Sequence, residues 1–128
     1  MERFISVFVV IVLVLGGCAG VGVEAVLEAE DLAEVEDRQL CNAFSEYPED
    51  ERLRAEIEER DLITDRDWQV IDNPDADIGT GMTPLGVICS RGEPASINRF
   101  EDGEEWVYGW PGSRAYVYFS EGEVISWQ

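Results

Sequence analysis

Residues Glu104–Gln128, EEWVYGWPGSRAYVYFSEGEVISWQ, decide the fold. Aromatic and β-branched residues alternate in short runs, and Pro111-Gly112-Ser113 and Glu121-Gly122 punctuate them as turns. Working toward the amino terminus, Asp102-Gly103 carries a hairpin signal, and SINRF (Ser96–Phe100) precedes it as one more strand. The reading is four short strands, Ser96–Phe100, Glu104–Trp110, Arg114–Ser120 and Glu123–Gln128, in an antiparallel meander. Ala115, Val117 and Phe119 alternate with Tyr116 and Tyr118, so both faces carry bulk. One face must pack on helices; the other is left for water or for a partner.

Before the strands the period becomes helical. Leu40, Cys41 and Phe44 share one face, and Tyr47-Pro48 breaks that helix. Glu49–Arg60 forms a second helix whose apolar stripe is only Leu53 and Ile57. Acidic residues at its start and Arg60 at its end suit the helix dipole. Thr64 with Asp67 three residues on has capping-box spacing and opens a short helix through Trp68 and Ile71. Thr83-Pro84 starts another, carrying Leu85, Val87, Ile88 and Cys89 and stopped by Gly92 and Pro94. The fold class expected is α+β: three to four short helices followed by the meander.

The amino-terminal segment has a different character. Phe4–Leu15 (FISVFVVIVLVL) is apolar except for Ser6 and too short to span a bilayer, which takes about 20 residues. With Arg3 ahead of it, it has the form of a secretory h-region. Leu15-Gly16-Gly17-Cys18 follows and resembles the bacterial lipobox, with cleavage between Gly17 and Cys18 and lipid on the Cys18 thiol. Ala19 then implies the outer membrane, facing the periplasm. The expected organisation is a signal peptide over 1–17, a lipidated cysteine and acidic tether over 18–36, and one small domain over 37–128.

Composition narrows function. Nine arginines, no lysine or histidine, and 28 acidic residues give a net charge of −19. Such a field repels nucleic acid and anionic lipid, because phosphate binding depends on basic side chains. The acidity reads either as a solvated surface or as recognition of a cationic partner or Ca²⁺. The absence of histidine removes imidazole triads and the usual catalytic zinc sites. Neither a catalytic site nor a cofactor is expected. Asp72, Asp75, Asp77 and Gly79 approach a Ca²⁺ loop, but with Asp75 as position 1 the template fails at Gly79 and Gly86. Cys41 and Cys89 remain once Cys18 is assigned to lipid, and an oxidising compartment favours a disulfide over two buried thiols. Trp106, Tyr108, Trp110, Tyr116 and Tyr118 are divided between core packing and a partner-binding face.

The segments GMTPLGVICSRGEPASINR (Gly81–Arg99), EEWVYG (Glu104–Gly109) and YVYFSEGEVISWQ (Tyr116–Gln128) resemble small bacterial envelope lipoproteins of the SmpA/OmlA group, which includes BamE. Leu40–Trp68 is similar to uncharacterised members of that group. The resemblance covers residues 37–128 and implies helices packed on an antiparallel sheet, an architecture also found in β-lactamase-inhibitor-like modules. It implies action by contact with an envelope protein instead of catalysis. This chain departs from BamE in its extra helices and its acidity, and no partner or lipid contact of that family maps onto individual residues here. The function expected is an outer-membrane lipoprotein acting as an interaction or assembly module. The alternative is a periplasmic module that binds a ligand or Ca²⁺ through the acidic loops.

Overall fold

The computed structural model describes residues 22–110 and 112–128, with the Trp110 side chain left out. Among the described residues five α-helices precede four strands: α1 Val23–Glu28, α2 Asp37–Glu46, α3 Glu51–Glu59, α4 Asp65–Ile71, α5 Pro84–Arg91, then β1 Ser96–Phe100, β2 Gly103–Trp110, β3 Ser113–Ser120 and β4 Glu123–Trp127. The strands form one antiparallel sheet in the order β1-β2-β3-β4. The α+β class and the meander therefore hold. A single buried cluster runs through both layers, from Leu40, Phe44 and Ile57 on the helices to Trp106, Val117 and Val124 on the sheet.

Local signals account for the starts of α3, α4 and α5 and the end of α5. Asp50 caps α3 by accepting from the Arg52 and Leu53 amides. The Thr64–Asp67 capping box is present in full at α4. At α5 Thr83 is the N-cap, Pro84 holds the first position, and Gly92 ends the helix at φ 81°. Along α2, Leu40, Cys41, Ala43 and Phe44 are buried together, as 3.6-residue spacing requires.

The helix count exceeds the three to four expected. Within the segment expected as an acidic tether, α1 buries Val26 completely and a 3₁₀ turn at Leu32–Glu34 buries Leu32, so residues 23–35 pack on the helices. Two arginines, Arg52 on α3 and Arg60 at its C-cap, hold this segment by its carbonyls. Arg52 donates to Ala29 O at 2.6 Å, and Arg60 donates to Leu32 O at 2.6 Å and Val35 O at 2.7 Å. Arg60 thus serves the amino-terminal segment as well as its helix end. It also pairs with Glu56 at 2.9 Å and Asp37 at 3.0 Å.

The turns differ in detail from their sequence signals. The β1–β2 loop is Glu101-Asp102, and Gly103 is the first residue of β2, paired with Phe100. Gly103 is required by close approach: a Cβ there would run into the Phe119 carbonyl of β3. At the β3–β4 turn Glu121 (φ 52°) and Gly122 (φ 78°) both lie in the left-handed region, the type I′ geometry that matches strand twist. A β-bulge at Tyr118/Phe119 pairs Phe119 with Val124 and Tyr118 with Ser126, leaving Ile125 without a partner. The outer edge of β4 is closed by a strap, with Gly81 N donating to Val124 O and Val124 N to Met82 O, both at 2.9 Å.

Candidate functional site

Strand register assigns each side chain to a face, because residues paired across an antiparallel ladder point the same way. Trp106 opposite Val117 and Phe119 opposite Val124 define the inner face, toward the helices. Asn98 opposite Glu105, Val107 opposite Tyr116 and Tyr118 opposite Ser126 define the outer face.

This register divides the five aromatic candidates. Trp106 is 1% exposed, with its ring centroid 4.4 Å from that of Phe119 and its indole N–H donating to Glu104 at 2.9 Å. Arg38, bonded to Glu93 at 2.6 Å, lies 5.5 Å from the Trp106 ring centroid. Tyr108 is packed against the same core, and its hydroxyl donates to Gly92 O at 2.9 Å. Burial, assisted by the nearby Glu93 carboxylate, pushes its phenol well above the ordinary tyrosine range. Trp106 therefore belongs to the core, and Tyr108 is partly buried against it on the same inner face. The Trp110 side chain lies outside the described residues. Tyr116 and Tyr118 are half-buried on the outer face.

Two apolar residues missing from the sequence reading join Tyr116 and Tyr118. Phe100 is 59% exposed and Ile125 is 57% exposed. Phe100 was legible as the last, outward position of its strand. Ile125 was not, since strict alternation in EVISWQ gives no sign of the bulge that ejects it. Between the apolar groups lie polar side chains: Asn98 donates to Glu105 at 2.9 Å, and Gln128 donates to the Tyr118 hydroxyl at 2.9 Å. The neighbouring Glu105 carboxylate is the main reason the Tyr118 phenol holds its proton more tightly than usual.

Two carboxylates of the acidic loop after α4, Asp72 and Asp77, are taken by arginines. Asp72 takes both terminal nitrogens of Arg54, at 2.8 and 3.0 Å, while Arg54 lies 4.4 Å over the Trp68 ring. Asp77 pairs with Arg91 at 2.9 Å. Among the described residues no three acidic or cysteine side chains are grouped to hold a metal ion. The Arg54 hydrogen bonds lower the Asp72 pKa from its ordinary value. Its stabilising effect is therefore present at neutral pH and is lost as pH falls through the lowered pKa. The pair is half-exposed and worth under about 1 kcal/mol. Asp72→Asn is expected to cost that much at pH 7 in urea unfolding, with the gap closing below about pH 4.

Cys41 and Cys89 are joined in a disulfide between α2 and α5, with Cα atoms 4.2 Å apart. Gly17 and Cys18, with the whole of 1–17 and the start of 18–36, lie outside the described residues. No described helix is long and apolar enough to cross a membrane. The outer face thus gathers exposed Phe100 and Ile125, half-buried Tyr116 and Tyr118, and polar side chains between them. No protein-family model matches the chain, and neither a curated protein nor a solved structure does.

Proposed function

We propose that this protein is a bacterial outer-membrane lipoprotein, facing the periplasm and anchored by lipid on Cys18, whose α+β domain is a non-catalytic interaction and assembly module. The observation that carries this reading is the outer face of the sheet. Tyr116 and Tyr118 stand there with Phe100 and Ile125, which keep more than half their surface in contact with water. Uncovered aromatic and aliphatic side chains on one face are what a contact-dependent protein provides, and tyrosine is among the residues that dominate binding energy. The lipobox resemblance at Leu15–Cys18 and the likeness to the SmpA/OmlA group support the address and the mode of action.

Two measurements test it. A photo-crosslinking amino acid at Tyr116 or Tyr118 is expected to capture one discrete envelope partner in cells, whereas the same probe at Glu59 on α3 captures none. Silent probes on the outer face of a folded domain would reject that face. Cys18→Ser is expected to release the protein from the membrane fraction without the lipid mass. A Cys18→Ser protein still membrane-bound at its mature mass would end the anchor reading.

A further inference from the structure

The outer face is not uniformly apolar. Its exposed hydrophobic groups gather at the end that carries the β1–β2 and β3–β4 turns. There a groove of about 150 Å³ is lined by Phe100, Gly103, Tyr118, Ser120 and Ile125, with Asp102 at its rim. Backbone helps form the groove: Gly103 has no room for a Cβ against the Phe119 carbonyl, so no side chain of this chain can fill that position. The bulge that ejects Ile125 supplies one wall, and the last residue of β1 supplies the other.

Charge decides what enters. Glu101 and Asp102 form one turn, and Glu121 lies in the other, with Glu123 following it as the first residue of β4. The turns are tied by Ser120 Oγ donating to Asp102 O at 2.9 Å. Among the described residues none of these four carboxylates is in an ion pair, whereas the nearby Arg99 is taken by Glu104 at 3.1 Å. A second copy of this chain, itself at −19, would bring like charge onto like charge, and phosphate-bearing surfaces are repelled in the same way.

We infer that the groove receives apolar side chains of a cationic amphipathic segment of another protein, whose lysines or arginines meet the carboxylates of the two turns. This rests on the interaction-module reading and names the partner class for the same face. The groove supplies the contact; the turn carboxylates steer association and select for positive charge.

The test uses the full lipidated chain in zwitterionic nanodiscs and a fluorescent peptide of alternating Lys and Leu, with empty nanodiscs as background. Binding is expected, weakening at least about tenfold between low and high salt and in the E101Q/D102N/E121Q/E123Q variant. It is expected to weaken by at least about tenfold in Phe100→Ser/Ile125→Ser as well, with circular dichroism unchanged in both variants. Equal binding of a Lys/Ser peptide, or no effect of Phe100→Ser/Ile125→Ser, overturns the groove in favour of bulk charge. If the Lys/Leu peptide fails while probes at Tyr116 and Tyr118 still capture a partner, the cationic class is wrong and the interaction reading survives. If both fail, both are overturned.

Discussion

Asp67→Ala is expected to lower the unfolding free energy by about 3–5 kcal/mol, a large share of the roughly 5–15 kcal/mol that holds an ordinary domain together. Asp67 is the one fully buried charged side chain among the described residues. It accepts from Thr64 N at 2.9 Å, closing the α4 capping box. It also accepts from Thr83 N at 2.9 Å and Thr83 Oγ1 at 2.6 Å, the residue that caps α5. One carboxylate thus pins the starts of two helices together. Removing it strands two backbone N–H groups in a dry environment, at about 1–3 kcal/mol each.

Asp67→Asn keeps the volume but presents an amide donor where three donors already converge, so it should also destabilise. Gly86 sharpens the test. A helical Gly→Ala change ordinarily stabilises by about 0.5–1 kcal/mol, but a Cβ here would collide with the Asp67 carboxylate, so Gly86→Ala should reverse that sign. Urea unfolding followed by tryptophan fluorescence measures all three variants. A loss below about 1 kcal/mol for Asp67→Ala would rule out the pin.

Reduction of the Cys41–Cys89 bond is expected to cost about 4 kcal/mol on the chain-entropy model, given its 48-residue separation. Both sulfurs sit in the core, at 0% and 2% residue exposure, on the two helices that pack most extensively against each other. Reduction without mutation is the cleaner experiment, because it removes the cross-link and leaves the packing atoms in place. Denaturant midpoints with and without reductant give the difference, and thiol labelling confirms that the reduced sample is reduced. Unchanged midpoints with both thiols labelled would show that the cross-link contributes nothing.

Much of the fold was written locally. Thr64, Thr83-Pro84 and Gly92 placed helix ends because a cap is satisfied within three or four residues of itself. The strand runs were visible because alternation and turn residues are short-range properties. The candidate site was only half legible. Trp106 and Tyr118 look alike in an alternating sequence, and the register against β3 together with the helix layer decided which one was buried.

The sequence alone determined the class, the strand order and the net charge of −19, since pattern, turn chemistry and composition do not depend on distant contacts. Tertiary structure decided the rest. Residues 23–35 lack the composition of a domain segment, yet Arg52 and Arg60, 23 to 28 residues away, hold their carbonyls and let Val26 and Leu32 reach the core. Asp67 reads as a simple cap until α5 brings Thr83 to it. Ile125 reads as one more strand residue until the bulge turns it outward to make a groove. In each case the deciding free energy lies in a contact between segments far apart in the chain, which no local pattern encodes.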